Sequence, residues 1–569
     1  MHNKDIIALL KDTAQLLELH GANPFQVRHY TNAALQLSKL DQEVAGLSLE
    51  ELKELAGIAP SAIKFMQELN ETGTLQRWEE LNAATPQGVR AMLSLRGIGP
   101  KKVNALWKEL GIESLEALEQ ACEAGTIAQL PGFGPKTQAT IQASLAFKAQ
   151  QVGKFHYATA LPYATALEKQ LQETFPTSLV SLAGALRRKM EVVEKVDILI
   201  GTDQVEAVME WLDQQPLLQK NPQLAGPFSW RGQFEALALP LHILCCAPDR
   251  FYQQLMLHTG STAHLALLVQ DNQPLGEVVE RMTVPHSEAV IYTQAGLPYI
   301  PPELREGQIE LAWAQEKGAP SLLAMQDLRG VFHNHTTYSD GKDSLETMAR
   351  YCQEVGYEYI GITDHSQSAH YAGGLTPAEI ERQHQEIDRL NEQLAPFKIF
   401  KGIESDILGN GALDYPADIL ARFDFVIASV HIGMNMDRKT ATERVIKAIR
   451  NPYTTILAHL TNRLLLKREG FPVDYRAIID ACAECGVVIE INSNPWRLEL
   501  DWRWIDYALY KNVQLSINPD AHDKESIQNM YYGVCVARKG GLTPAHTFNA
   551  LSREDVAQYL QHRKSQVMK

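Results

Sequence analysis

The sequence of 569 residues is short of several features that would place it in a specialised class of protein. Its seven cysteines are scattered without the spacing of a disulfide framework, and Cys482-Ala-Glu-Cys485 has no second pair, which favours helix packing over a zinc site. No apolar run approaches the roughly 18 residues of a membrane span, and the first residues lack a signal-peptide pattern, so a soluble, cytoplasmic protein is expected. A net charge of −15 argues against broad attraction to nucleic acid, so any DNA binding must come from local geometry.

What the C-terminal part does contain is a set of potential metal ligands, nearly all of which follow short apolar, β-branched runs such as Tyr359-Ile-Gly-Ile362 and Phe425-Val-Ile427. Successive strands that end in ligands are typical of a parallel barrel, because each strand brings its C-terminal end to the same rim. The nine residues are His333, His335, Asp340, His365, Glu404, His431, His459, Asp520 and His522. Imidazole with carboxylate suits Zn, Mn or Fe better than Ca or Mg. Nine ligands are too many for one ion, so two or three clustered ions are predicted, and such clusters usually hydrolyse phosphoesters.

The first 150 residues have helical spacing of apolar positions, interrupted by repeated glycine turns. Leu95-Arg-Gly97-Ile98-Gly99-Pro100-Lys101 and Leu130-Pro-Gly132-Phe133-Gly134-Pro135-Lys136 both match the helix-hairpin-helix element, with proline at the first helical turn. Two glycines allow a tight turn, so that backbone amides and the positive helix terminus can face a phosphate. Such contacts hold DNA without reading its bases. An earlier turn, Gly57-Ile58-Ala59-Pro60, lacks the second glycine, which weakens its predicted grip on phosphate.

From about residue 153 the pattern changes to that of an α/β unit, with predicted strands at 179–183, 196–200 and 237–244. Two further segments stand out, Gly184-Ala-Leu-Arg187-Arg188 and Thr259-Gly260-Ser261. A Pro-rich connection near 298–302 leads through 306–320 to the predicted barrel.

Residues 328–569, which contain the nine potential ligands, resemble the PHP domain (polymerase and histidinol phosphatase). The order of all these segments along the whole chain resembles that of bacterial family X DNA polymerases. The resemblance implies a multidomain fold: an all-α helix-hairpin-helix N-terminal region, an α/β nucleotidyltransferase-like palm and thumb, and a distorted (β/α)7 barrel. The expected domains are a lyase-like helical domain at 1–80, a fingers-like domain at 81–152, the palm at 153–235, the palm end and thumb at 236–318, and the PHP domain at 328–569.

The resemblance also implies three divalent ions in the barrel, Mn, Zn or Fe. One would be held by His333, His335, Glu404 and Asp520, which are the expected catalytic residues. A second would be held by Glu404, His431 and His459, with Glu404 as a bridge, and a third by Asp340, His365 and His522.

In the palm the resemblance predicts a degenerate polymerase site. Family X synthesis uses three aspartates to hold two divalent ions, whereas this chain has Lys195, Asp197 and His242 at those positions. An ammonium at Lys195 repels a cation, which argues against Mg²⁺ there. Gly184, Arg187 and Arg188 would still cradle a triphosphate, with Thr259, Gly260 and Ser261 by the sugar. The position of the lyase lysine falls on Phe65, and the neighbouring Lys64 is about 100° away around the helix.

The implied function is DNA repair by metal-dependent hydrolysis of phosphodiesters, as a 3′→5′ exonuclease or end-processing enzyme. Its expected partners are gapped, nicked or 3′-ended DNA, bound without sequence preference and away from membranes. Three alternatives remain open: an active gap-filling polymerase with substituted ligands, a non-catalytic scaffold on DNA ends, and a phosphatase of a small phosphomonoester.

Overall fold

The computed structural model describes residues 3–37, 40, 43–55, 57–95, 97–311, 314 and 321–567. The chain divides into two compact units, Met1–Val152 and Gly153–Lys569. Part of the connection to the barrel, residues 312–313 and 315–320, lies outside the described residues. Among those described, no helix combines the length and apolarity needed to cross a membrane.

The first unit is helical, as predicted, and its helices pack around two apolar cores, one near Leu10 and Met66 and the other near Val89 and Ile141. Its helices are α1 (Asn3–Leu19), α2 (Pro24–Leu37), α3 (Leu49–Glu54), α4 (Pro60–Thr72), α5 (Gln76–Ala83), α6 (Gln87–Met92), α7 (Pro100–Leu110), α8 (Leu115–Glu123) and α9 (Gly134–Gln151). Four of them begin with proline at the first or second position, where the missing N–H costs no helical hydrogen bond.

The second unit begins with a five-stranded mixed sheet in the order β2-β4-β7-β6-β5, in which β4 and β7 are parallel. The strands in this part of the chain are β1 (Phe155–His156), β2 (Leu179–Ala183), β3 (Val192–Val193), β4 (Val196–Gly201), β5 (Leu218–Lys220), β6 (Ser229–Phe234) and β7 (Leu239–Cys246). Of these, β1 and β3 pair with each other outside the five-stranded sheet. The helices are α10 (Tyr157–Thr174), α11 (Gly184–Arg187), α12 (Val205–Asp213), α13 (Phe251–Thr259), α14 (Thr262–Leu265), α15 (Leu275–Arg281) and α16 (Glu288–Gln294).

Register within this five-stranded sheet fixes which side chains share a face. Asp197 on β4 pairs with His242 on β7, and His242 pairs in turn with Arg231 on β6, so the three side chains form one row. β7 begins two residues later than the sequence pattern predicts, because Ala238 adopts a left-handed backbone (φ 50°) that turns the chain before the strand.

The barrel alternates strands and helices, and its seven described strands are parallel in the order β8 to β14. The strands are β8 (Gly330–Val331), β9 (Tyr359–Ile362), β10 (Lys398–Asp406), β11 (Phe425–Ser429), β12 (Thr454–Leu457), β13 (Val488–Asn492) and β14 (Leu515–Asn518). The helices are α17 (Leu345–Glu354), α18 (Pro377–Leu394), α19 (Ala417–Leu420), α20 (Arg438–Ile449), α21 (Tyr475–Cys485), α22 (Ile505–Tyr510), α23 (Met530–Lys539) and α24 (Arg553–Val567).

The two edges of this sheet meet just beyond β8 and β14, so the barrel is nearly closed. Asn334 bridges Ala521, and the N–H of His335 donates to the carbonyl of Ala521 at 2.8 Å. On β10, Phe400 belongs to a buried aromatic cluster with Phe332 and Phe425. Glu404 lies four residues further along the same strand, on the same face as Phe400, and therefore stands over this cluster.

Candidate metal centre

All nine residues that the sequence analysis selected come together at one rim of the barrel. His333 and His335 follow β8, His365 follows β9, Glu404 lies near the end of β10, and His431 and His459 follow β11 and β12. Asp520 and His522 follow β14, and Asp340 lies in the loop after β8. Their potential ligand atoms fall into four overlapping groups, each within 4.8 Å, and the groups together include all nine residues.

Glu404 is the hub of these groups. Its Oε1 lies 3.0 Å from Nε2 of His459 and 3.2 Å from Nε2 of both His333 and His431. Its Oε2 lies 2.9 Å from Nδ1 of His365. The carboxylate is 1% exposed, so its charge is compensated by this ring of histidines rather than by water.

A second concentration of ligands surrounds Asp340. Its Oδ1 lies 3.4 Å from Nε2 of His522, 3.6 Å from Nε2 of His365 and 3.9 Å from Nδ1 of His335. His335 faces both concentrations, since its Nε2 lies 3.6 Å from Oε2 of Glu404 and 3.2 Å from Oδ1 of Asp520. The grouping therefore adds His335 to the predicted third set, while His431 and His459 fall in separate groups that share Glu404.

Several buried nitrogen and oxygen atoms of this cluster lie close together but form no hydrogen bonds among the described residues. Nε2 of His333, both ring nitrogens of His335, Nδ1 of His365 and Oε2 of Glu404 have no hydrogen-bond partner within the part of the chain that the structure describes. Leaving a buried polar atom unpaired costs about 1–3 kcal/mol, and five such atoms in one place are unusual for a folded interior. Lone pairs of neutral imidazole and carboxylate are the donors that divalent transition metals accept, so the residues fit a metal centre.

Two buried carboxylates outside the predicted set orient the ligands. Oε2 of Glu490, on β13, accepts a hydrogen bond from Nδ1 of His333 at 2.6 Å, and Oδ1 of Asp406, on β10, accepts one from Nδ1 of His431 at 2.7 Å. Each contact leaves Nε2 of the imidazole turned toward Glu404. Carboxylates behind metal-binding histidines commonly fix the tautomer and raise ligand basicity. Sequence reasoning missed both residues, although Glu490 lies inside the apolar run Val488-Ile-Glu-Ile-Asn492 and Asp406 shares a strand face with Glu404.

The electrostatics of the cluster keep its carboxylates ionised. Burial raises the pKa of Glu404, but the surrounding histidines, His431 and His365 first, more than reverse this and hold it well below the ordinary value. The pKa of Asp340 is likewise lowered to about 2, because contacts from His522 and His335 outweigh burial. Burial and the neighbouring imidazoles His522 and His365 lower the pKa of His335 to about 3, which keeps that ring neutral. These are the protonation states in which a carboxylate and an imidazole bind metals, whereas the neighbouring carboxylates, against the effect of burial, raise the pKa of His431 to about 10 and of His522 to about 9, so these two rings would release a proton when a metal binds.

The backbone around the ligands is unusual at two of them. His333 and Asp520 have left-handed φ values of 59° and 52°, a conformation that costs a non-glycine residue of order 1 kcal/mol and is concentrated at functional sites. Nearby, buried Asp364 accepts hydrogen bonds from Thr336 and Ser339 and so shapes the loop that presents Asp340. Arg497 lies at the edge of the centre, with Nε 3.5 Å from Oδ2 of Asp520.

The palm residues that the sequence analysis assigned to a degenerate polymerase site are also close together. Nζ of Lys195 lies 2.6 Å from Oδ1 of Asp197, and Nδ1 of His242 lies 3.3 Å from the same oxygen. Burial raises the pKa of Asp197, but these two contacts reverse the effect and lower it overall. Gly184 has a left-handed φ of 63°, and a Cβ there would meet Oδ2 of Asp197 at 2.5 Å, so glycine is required. The only carboxylate of this predicted site is thus paired with a lysine.

The two arginines expected to cradle a triphosphate are bound to acidic residues of the chain itself. Arg187 donates two hydrogen bonds to Glu288, at 2.9 and 2.6 Å, and Arg188 donates to Glu306 at 2.9 Å. Thr259 accepts from Arg187 through its hydroxyl and from Arg188 through its carbonyl. Gly260 ends α13 next to it, and Ser261 is the N-cap of α14. The predicted nucleotide cradle is therefore held by internal ion pairs.

The helix-hairpin-helix turns present exposed glycines at the surface of the first unit. Gly97 and Gly132 have left-handed φ values of 87° and 83°, and Gly134 of 66°. Gly99, the N-cap of α7, is extended (φ −96°, ψ 179°), so at this turn only Gly97 takes a backbone conformation that favours glycine. Lys101 and Lys136 are exposed beside the two turns. Around the predicted lyase position, Phe65 stacks on Tyr30 with ring centroids 4.2 Å apart, while Lys64 is exposed.

Comparisons with known proteins agree with this arrangement. Residues 1–75 match a helix-hairpin-helix domain, residues 89–146 a SAM-like helix-hairpin-helix tandem, and residues 332–494 the PHP domain. The DNA polymerase/3′-5′ exonuclease PolX of Bacillus subtilis (strain 168) is 35% identical over 98% of this chain and 99% of its own length. A probable phosphatase of Acetivibrio thermocellus is 32% identical over 29% of this chain and 65% of its own, and one of Thermoanaerobacter sp. (strain X514) is 28% identical over 41% and 95%. Identity of 35% across nearly the whole of both chains shows that this protein belongs to the PolX family, with helix-hairpin-helix regions before a C-terminal PHP domain.

Proposed function

We propose that this chain hydrolyses DNA phosphodiesters at the barrel centre, as a 3′→5′ exonuclease or end-processing enzyme, and that its palm does not extend primers. The observation that carries the proposal is the convergence of nine ligand side chains with unpaired buried nitrogen and oxygen atoms at one rim. The name of the Bacillus subtilis relative, which includes 3′-5′ exonuclease, supports the choice of DNA as substrate.

The ligand sets follow the sequence assignment, with three divalent ions of Mn, Zn or Fe. His333, His335, Glu404 and Asp520 would hold the first, Glu404, His431 and His459 the second, and Asp340, His365 and His522 the third. Divalent ions bound there supply an activated water molecule and stabilise the charge that develops at phosphorus and on the leaving oxygen.

The chain's own residues position this chemistry. Glu490 and Asp406 hold the His333 and His431 rings so that their Nε2 atoms face Glu404. Arg497, at the edge of the centre, offers a guanidinium to the phosphate of an incoming strand. The low pKa values of Glu404 and Asp340 keep both carboxylates charged at neutral pH.

DNA is held by the helix-hairpin-helix turns, whose exposed glycines allow a phosphate to approach the backbone amides. Gapped, nicked and 3′-ended duplexes are the expected substrates, and binding is independent of sequence because phosphate contacts carry no base information.

The palm does not synthesise DNA in this proposal, because Asp197, the only carboxylate among the predicted polymerase-site residues, is paired with the Lys195 ammonium at 2.6 Å. An ammonium in that position repels the divalent ions that nucleotidyl transfer needs. The competing function is gap filling, which the word polymerase in the relative's name favours.

Incubation of 5′-end-labelled gapped DNA with the full chain and Mn²⁺, with and without dNTPs, separates the functions by product length. We expect shortening of the labelled strand in both reactions and none in EDTA. Extension with dNTPs would show a gap-filling polymerase. Binding without any change of length would show a scaffold, and release of phosphate from a small phosphomonoester alone would show a phosphatase.

A further inference from the structure

An exposed aromatic side chain, that of Tyr371, lies against the metal centre without being one of its nine predicted ligands. Its ring centroid is 6.1 Å from that of His365 and 6.4 Å from that of His431, and the residue is 60% exposed. Its hydroxyl forms no hydrogen bond with any residue that the structure describes. The ring therefore contacts two ligands along one side, while most of its surface is open to a molecule that enters the centre.

The backbone on both sides of Tyr371 is fixed, so the outward position of the ring is built into the loop that follows β9. Tyr371 lies in a single 3-10 turn, and the small residues Ala369 and Ala372 on either side of it are buried. The N–H of Leu375 donates to the carbonyl of His365 at 2.9 Å and closes the loop on one of the ligands. A loop that is already ordered loses little conformational entropy when the ring that it carries binds a partner.

Further contacts tie this loop to the carboxylate that orients His431. The hydroxyl of Ser368 donates to Oδ2 of Asp406 at 3.0 Å, and Oδ1 of the same carboxylate accepts from Nδ1 of His431 at 2.7 Å. The N–H of Ser368 also donates to Asp414 at 2.7 Å. The loop of Tyr371 and one of the ligands that the ring contacts are therefore held by a shared carboxylate, so the ring keeps its place relative to the centre.

Two kinds of group border the centre, and they match two parts of a nucleotide. Tyr371 offers a flat apolar surface on the side of His431, and the exposed Ile432 follows that ligand directly. Arg497 offers a guanidinium on the side of Asp520, with Nε 3.5 Å from Oδ2. A guanidinium binds phosphate oxygens, whereas proteins that hold single strands use aromatic rings to stack on bases. The rim is therefore equipped for both the phosphate and the base of a strand end.

We propose that Tyr371 stacks on the base of the 3′-terminal nucleotide that is removed, and that the centre therefore favours 3′ ends that carry a base over 3′ ends that carry only a sugar. This inference rests on the proposed function for its reaction and for its choice of DNA. It adds the part of the substrate that is recognised besides the phosphate. Because every base has a π-face, the preference does not depend on sequence.

Two gapped duplexes that differ only in the last residue of the 5′-labelled strand test the preference. One strand ends in thymidine at the gap, and the other ends in tetrahydrofuran, a sugar analogue without a base. The full chain is assayed with Mn²⁺, and kcat/KM is measured for both ends. Tyr371→Ala should lower kcat/KM about tenfold for the thymidine end and should leave the value for the tetrahydrofuran end unchanged. Tyr371→Phe should retain the wild-type values for both ends, because the ring and not the hydroxyl makes the contact.

Stacking is also measured without hydrolysis. The last base is replaced by 2-aminopurine, whose fluorescence is quenched when it stacks, and a phosphorothioate linkage with EDTA prevents cleavage. We expect the wild type and Tyr371→Phe to quench the fluorescence on binding and Tyr371→Ala to leave it largely unchanged. Tyr510→Ala, at a tyrosine 80% exposed on α22, is the matched control and should behave as wild type in both assays.

Three results would each overturn the assignment of Tyr371. These are equal losses of kcat/KM by Tyr371→Ala on both ends, wild-type activity of that variant on the thymidine end, and equal quenching of 2-aminopurine by the wild type and Tyr371→Ala. Absence of hydrolysis of either end by the wild-type chain contradicts the proposed function instead, and the quenching assay then still decides whether the ring stacks on the terminal base.

Discussion

Replacement of Glu490 by glutamine tests whether the carboxylates behind the ligands tune the metal centre. Glu490 is buried and accepts hydrogen bonds from Nδ1 of His333 at 2.6 Å, from the side-chain amide of Asn518 at 2.8 Å and from the backbone N–H of His459 at 3.1 Å. Glutamine keeps the size of the side chain but removes its negative charge and half of its acceptors. His333 therefore loses the partner that holds its Nε2 toward Glu404.

Loss of a partner of this kind typically weakens metal affinity or activity 10- to 100-fold, which corresponds to about 1.4–2.7 kcal/mol. The assay is the rate of hydrolysis of end-labelled gapped DNA as a function of Mn²⁺ concentration. We expect Glu490→Gln to shift the half-saturating Mn²⁺ concentration upward by that factor and to recover much of the wild-type rate at saturation. The control is Glu392→Gln, at an exposed position on α18, which should follow the wild-type curve. Coincident curves for wild type and Glu490→Gln would show that Glu490 does not tune the metal centre.

Gly99→Ala should leave the fold intact, because its φ is −96° and a Cβ would meet nothing within 4 Å, yet it should weaken binding of gapped duplexes of unrelated sequence to a similar extent; unchanged affinity would give this turn a purely structural role. The double variant Lys195→Asp/His242→Asp should incorporate nucleotides with Mg²⁺ where the wild type does not, and incorporation by both at similar rates would show that the substitutions are not the cause. Burial, together with the charge of Lys401, lowers the pKa of His384 to about 4 in the folded state. Between about pH 6.5 and pH 4 the unfolded chain therefore binds a proton at His384 that the folded chain does not, and the free energy of unfolding should fall as the pH drops through this range. Urea unfolding of wild type should lose about 2 kcal/mol more between pH 7 and pH 5 than that of His384→Leu, whereas equal losses would contradict this assignment.

Much of the barrel could be predicted because its strands are short apolar runs that are followed by potential metal ligands. The run Tyr359–Ile362 is β9 as observed, and the run that begins at Phe425 opens β11. Since parallel strands deliver their C-terminal ends to one rim, the ligands after them had to meet there. The location of the centre therefore followed from chain order and strand polarity alone.

Contacts between distant segments could not be predicted in the same way. Glu490 lies 157 positions from His333, and Glu288 lies 101 positions from Arg187, so neither partnership leaves a local pattern in the sequence. The conformation of each glycine in a turn is also not given by the sequence. The Gly-x-Gly spacing gives no information on which glycine takes the left-handed conformation, and of Gly97 and Gly99 only Gly97 does so.

Replacement of Glu404 by glutamine shows whether hydrolysis takes place at the barrel centre. The measurement is the release of labelled nucleotide from gapped DNA in saturating Mn²⁺, with circular dichroism and gapped-DNA affinity recorded on the same protein. Because Glu404 contacts His333, His365, His431 and His459, we expect hydrolysis to fall by about a thousandfold or more, about 4 kcal/mol, while fold and DNA affinity are retained. Undiminished hydrolysis by a folded Glu404→Gln chain would contradict the assignment.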